Sequence, residues 1–152
     1  MALDAKIKEQ LSQYLTKIES PVSIDAYTNN EPASASMVDL LKELSGMSEK
    51  VSLNIVNDVN QRTPSFKVNK PNELSGIQFA GIPMGHEFTS LVLALLQVGG
   101  YPVKISEEQI EQIKNIKGEF IFETYISLSC HNCPDVVQAL NVLSLLNPGI
   151  SH

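Results

Sequence analysis

Apolar positions along the chain follow two periods, and the switches between them mark the elements. Leu3, Ile7, Leu11, Tyr14, Leu15 and Ile18 stand three and four residues apart, which predicts an amphipathic helix stopped before Pro21. Pro21 to Tyr27 alternates apolar and polar, the pattern of a strand. A polar loop with Pro32 covers Thr28 to Ala33. From about Ser34, the residues Met37, Leu40, Leu41, Leu44 and Met47 predict a second helix, and Val51, Leu53 and Ile55 a second strand. Ser65 to Val68 and Ile77 to Ala80 read as two strands joined by a hairpin loop over Asn69 to Gly76. Gly81 to Gly85 reads as a turn. A helix follows from about His86 through Gln97, with Phe88, Leu91, Val92 and Leu95 as its stripe and Gly99-Gly100 as its stop.

The pattern then restarts. Ser106-Glu-Glu-Gln109 is a capping box, opening a helix striped by Ile110, Ile113 and Ile116 and stopped at Gly118. Phe120 to Ser127 is strand-like, with Phe122, Thr124 and Ile126 on the face of Phe120. Val136, Val137, Leu140, Leu143 and Leu146 predict the last helix, closed by Asn147-Pro148-Gly149. The order helix, strand, loop, helix, strand thus occurs twice, from near Leu3 and from near Ser106, and the second copy breaks off at His152. Helix-bearing connections between strands predict parallel pairing, and the hairpin predicts an antiparallel edge. A central sheet with helices on both faces accommodates all of this. An incomplete second copy leaves an open strand edge, to be covered by residues beyond His152 or by an oligomer, a homodimer being possible.

Composition narrows the function classes. The 43% hydrophobic and 18% charged content is that of a globular chain with a real core. A net charge of -6 argues against nucleic acid and against anionic membrane surfaces. The longest apolar run, Leu91 to Leu96, is far shorter than the roughly 20 residues of a membrane helix and reads as core. The opening residues lack the apolar stretch of a signal peptide, so the expected location is the cytoplasm.

In that compartment the only two cysteines, in Cys130-His131-Asn132-Cys133, suggest catalysis or metal binding rather than a structural staple. They lie where a strand-like run meets a helix. Free N–H groups and a partial positive charge at a helix start favour a thiolate, which is the nucleophilic form. The motif points to dithiol–disulfide exchange. Cys130 would attack from the helix mouth, and Cys133, about one turn inside, would resolve the mixed disulfide. Pro134 suits the first turn, where its missing N–H costs little. Ordinary buried thiols and a zinc site are the alternatives. Zinc usually takes four ligands, and the histidines His86, His131 and His152 show no finger-like spacing.

Tandem units in this order, with Thr63-Pro64 before the first hairpin strand, resemble the thioredoxin-like fold. The stretches Gly85 to Leu96 and Phe122 to Asn141, the latter containing both cysteines, resemble the N-terminal domain of the flavoprotein component of bacterial alkyl hydroperoxide reductase, and the likeness spans the chain. It implies an α/β fold of two thioredoxin-like units. Residues 1–103 form the first, complete but without C-x-x-C, and residues 104–152 the second, carrying C-x-x-C but truncated. It implies that Thr63-Pro64 is the cis-proline position of the fold. It also implies a redox-active Cys130–Cys133 disulfide that takes electrons from flavoprotein C-terminal domains using FAD and NADH and passes them to a peroxiredoxin. No G-x-G-x-x-G occurs here, so those cofactors belong to the full-length protein and none to this chain.

Three more residues have two readings each. Glu87 would favour the dipole of its own helix, while the resemblance makes it a catalytic neighbour that raises the Cys130 pKa and relays protons. His131 is a solvated loop residue or tunes the dithiol, and Asp135 stabilises the first helical turn. The first unit would scaffold the second and border its partner groove. A redox-inert scaffold or partner-binding module is the competing function.

Overall fold

The computed structural model describes residues 3–57 and 60–152. Its elements run α1 (Ala5–Leu15), β1 (Val22–Tyr27), α2 (Pro32–Gly46), β2 (Val51–Val56), β3 (Ser65–Asn69) and β4 (Gln78–Ala80). A 3-10 turn (Gly85–Glu87) then leads into α3 (Phe88–Val98). The chain continues through α4 (Glu107–Lys114), β5 (Phe120–Ile121), α5 (Cys133–Leu146) and β6 (Ile150–Ser151).

The four-stranded sheet has the order β2-β1-β3-β4, with β1 parallel to β2 and antiparallel to β3. Its register places Ile24 between Leu53 and Val68, and Ala26 between Ile55 and Phe66. Val22, Ile24, Ala26, Phe66 and Val68 lose all contact with water. With Met37, Leu40, Leu41 and Leu44 of α2, Leu11 and Leu15 of α1, and Leu91 and Leu95 of α3, they form one core. Burying an aliphatic or aromatic side chain of this size contributes about 1.5–3 kcal/mol, so this cluster dominates the stability of the fold.

The opposite face of the sheet corrects one expectation. Ser23, Asp25, Ser52, Asn54, Lys67 and Asn69 point there by strand alternation. Asn54 Nδ2 donates to Ser23 Oγ at 3.0 Å and to Asp25 Oδ1 at 3.2 Å, and Asn69 Nδ2 donates to Asp25 Oδ2 at 3.2 Å. A face that satisfies its polar groups laterally offers no apolar surface to a helix, and α1, α2 and α3 join the core on the other face.

The helix starts follow local chemistry. Asp4 Oδ1 accepts from Ile7 N at 2.9 Å, and Ser106 and Gln109 form the reciprocal capping box. Pro32 lets α2 begin earlier than expected, since its fixed φ and absent N–H suit a first turn.

The expected strand from Phe120 to Ser127 is regular only at Phe120–Ile121. Its partner β6 is two residues long, so after Phe122 N donates to Ser151 O at 2.9 Å no further ladder bond forms. In turn, His152, just after β6, bonds beside the edge of the larger sheet. His152 N donates to Gly76 O, and Gln78 N to His152 O, each at 2.8 Å. The two sheets are thus stitched by backbone bonds. A helix-strand-helix-strand order with a parallel strand pair occurs in α1-β1-α2-β2 and again in α4-β5-α5-β6, and the segment Tyr101 to Ile105 precedes the second.

Candidate functional site

The dithiol lies where the irregular segment after β5 meets α5. Cys130 and Cys133 are disulfide-bonded, with Cα atoms 5.6 Å apart, and both are half-buried. Cys130 N donates to Ser127 O at 3.0 Å, which turns the chain back on itself. Cys133 is the first residue of α5 rather than one turn inside it, with Pro134 and Asp135 following in the first turn. A first-turn N–H has no partner within its own helix. Here the N–H of Cys133 donates to Cys130 Sγ at 3.2 Å. The helix start therefore supplies a donor to that sulfur, the arrangement that stabilises a thiolate once the disulfide opens.

The 3-10 turn before α3 reaches this loop. His86 N donates to Leu128 O at 3.0 Å, and the His86 and His131 rings stand 4.5 Å apart between centroids, tilted by 58°. In the sequence the two histidines stand out together only as zinc candidates, and no spacing signals their contact. His152 stands elsewhere: its Nδ1 meets Asn141 Oδ1 and its Nε2 meets Thr124 Oγ1, each at 2.8 Å. Burial lowers its pKa below the ordinary histidine value. Among the described residues no three His, Cys, Asp or Glu side chains are arranged to hold a metal ion.

Glu87 follows His86 and is completely buried. Neither carboxylate oxygen has a hydrogen-bond partner. Retaining such a group is costly, so its presence asks for a role beyond packing. It lines a cavity of about 680 Å³ together with Leu128, Val137, Asn141, Thr124 and His152. On the rim, Arg62 and Tyr125 converge on Glu123, at 2.7 and 2.8 Å. The Tyr125 hydroxyl, then Arg62, holds the exposed Glu123 carboxyl below its ordinary pKa.

The Thr63-Pro64 peptide is cis. It faces the junction between β1 and α2, where Asn29 Nδ2 donates to Thr63 Oγ1 at 2.9 Å. That junction has no cysteine, and Asn29 Oδ1 holds it by accepting from Glu31 N and Ser34 Oγ.

No protein-family model matches the chain. It is 55% identical over 150 residues to the alkyl hydroperoxide reductase AhpF of Xanthomonas campestris, covering 99% of this chain and 28% of that protein. A Bacillus subtilis protein named NADH dehydrogenase is 55% identical over 152 residues, 100% of this chain and 30% of the relative. Among solved structures, the N-terminal domain of the Enterococcus faecalis alkyl hydroperoxide reductase AhpF matches with a TM-score of 0.87 at 25% identity, over 99% of this chain and 78% of that one. In sequence and fold the chain matches the N-terminal domain of AhpF. It spans less than a third of the length of the full-length relatives. A thiol–disulfide electron-transfer module is the function common to this match and to the dithiol geometry.

FAD and NADH do not fit the chain itself. The sequence holds no G-x-G-x-x-G turn to bring a helix N-terminus against a pyrophosphate. Among the described residues no helix is long and apolar enough to cross a membrane.

Proposed function

We propose that this chain is the disulfide-relay module of a cytoplasmic, NADH-dependent peroxiredoxin reductase. Residues 1–103 act as a scaffold unit and residues 104–152 carry the relay. Electrons arrive from flavoprotein domains that hold FAD and NADH, reduce the Cys130–Cys133 disulfide, and leave to the disulfide of a peroxiredoxin. The observation that carries this reading is the donation from Cys133 N to Cys130 Sγ at the start of α5.

The residues perform the exchange in two balanced steps. The Cys130 thiolate attacks one sulfur of the partner disulfide. A bond forms between them, the partner S–S bond breaks, and the second partner sulfur leaves as a thiolate that takes a proton. Cys133 then attacks Cys130, the mixed disulfide breaks, and the other partner sulfur leaves. Two electrons pass to the partner, and Cys130–Cys133 is again a disulfide. Glu87 is assigned the proton relay, because it is a fully buried carboxyl with no donor of its own, one residue from the histidine that touches His131.

The test mixes the pre-reduced chain with an equimolar oxidised peroxiredoxin from a bacterium that encodes AhpF. Stoichiometric loss of the peroxiredoxin disulfide is expected, and none with Cys130→Ser. A wild-type chain that leaves the disulfide intact, while dithiothreitol reduces it, defeats the reading.

A further inference from the structure

We infer that His86 is a positioning residue for the dithiol, holding the Cys130 loop so that disulfide closure is favoured over the open dithiol. The inference rests on the exchange reading above and assigns to the first unit a part in setting the redox equilibrium.

The 3-10 turn grips the loop on both sides of Cys130. Gly85 has φ 58°, and a Cβ there would stand 2.8 Å from Leu128 O. Only glycine allows this approach without strain. It lets His86 N reach Leu128 O at 3.0 Å, two residues before the cysteine. The His86 ring then packs on His131, one residue after the cysteine. Within the loop, Cys130 N donates to Ser127 O and Cys130 Sγ accepts from Cys133 N.

Neither grip of the turn involves sulfur, so neither is removed when the S–S bond opens. Leu128 and His131 stay anchored to the first unit, and Cys130 stays near Cys133. A pair of groups held close has a high effective concentration for bond formation. Closure onto Cys130 then needs little loop ordering. In the resolving step the Cys130–Cys133 bond forms, the bond from Cys130 to the partner sulfur breaks, and that sulfur leaves as a thiolate. Removing the ring contact frees the loop in the dithiol state but not in the disulfide state, where the covalent link still restrains it. The open form gains entropy, and the equilibrium shifts toward the dithiol.

The experiment equilibrates this chain with glutathione redox buffers and quantifies disulfide and dithiol by alkylation and mass spectrometry. His86→Ala is expected to lower the disulfide-to-dithiol ratio by about 2- to 10-fold, the range that ring pairs give. His86→Phe, which keeps a ring, should return to near wild type, and His86→Ala with His131→Ala should be no lower than His131→Ala alone. An unchanged ratio in His86→Ala overturns the inference, as does a ratio for His86→Phe as low as for His86→Ala. A wild-type chain that does not exchange with glutathione at all defeats the relay reading instead. The positioning role is then read from denaturation of oxidised and reduced chains, whose stability gap must shrink in His86→Ala. If His86→Ala does not fold, His131→Ala removes the same contact from the other side.

Discussion

The chain contains two strand-to-helix junctions in corresponding places, and they are held in opposite ways. Between β1 and α2, Asn29 ties Glu31, Ser34 and Thr63 into a polar knot. It sits on a sheet whose Ile24, Ala26, Phe66 and Val68 are fully buried. Before α5, the junction is a disulfide in a region that buries little of its own. Ile121 is 83% exposed and Tyr125 82%. The disulfide-bearing junction thus occupies the less self-sufficient region and is held from outside, by Leu128 and His131 against the 3-10 turn and by His152, just after β6, against Gly76 and Gln78. Burial is concentrated in the β2-β1-β3-β4 sheet, and the disulfide lies in the more exposed region. A loop that must open and close a bond benefits from supports that do not depend on that bond.

The largest effect should come from breaking the closed side. Phe66 is fully buried and stacks on Phe79 with ring centroids 5.3 Å apart. Phe66→Ala should cost about 3–5 kcal/mol in chemical denaturation. Ile121→Ser, on the open side, should change stability by no more than about 0.5 kcal/mol. Equal costs would erase the contrast between the regions.

A smaller effect sharpens it. Asn29→Ala removes the acceptor for Glu31 N and Ser34 Oγ and the donor to Thr63, and should cost about 1–2 kcal/mol of stability. Its glutathione equilibrium at Cys130–Cys133 should match wild type, since the knot does not touch that loop. A shifted equilibrium would show that the two junctions are coupled.

The smallest effect is acid sensitivity at His152. Burial lowers its pKa in the folded state, so the unfolded chain takes up the proton more readily. The contribution of neutral His152 is fully present above the unfolded value near 6.5 and is lost as pH falls from there through the lowered folded value. Urea midpoints measured from pH 7.5 downward should fall more for wild type than for His152→Gln. Parallel curves would show that His152 carries none of the acid sensitivity.

Much of this division is legible in the sequence, for identifiable reasons. Alternation at Val22 to Tyr27 and the spacing of Met37 to Leu44 are local signals of burial, and both elements form where those signals place them. The Ser106–Gln109 box is also local. The strand expected after Phe120 is too long because periodicity records side-chain alternation and not the length of the partner strand. The helix-bearing connections also lead to an expectation of helices on both sheet faces, yet Ser23, Asp25, Asn54 and Asn69 satisfy one another across strands, and that pairing depends on register. At the site, the two cysteines carry their own signal, whereas the meeting of His86 with His131 joins residues 45 positions apart in sequence. No spacing rule links them. Gly85 reads as a turn residue, and its close approach to Leu128 becomes visible only in three dimensions.

In the proposed relay, Cys130 freed from its disulfide is an activated thiolate beside the start of α5. The most direct test of that activation is the alkylation rate of Cys133→Ser at pH 6, where an ordinary thiol with a pKa near 8.5 is almost entirely protonated. Cys130 in the folded chain should react with iodoacetamide at least about 10-fold faster than in the same chain unfolded in urea. Equal rates in the folded and unfolded chains would contradict it.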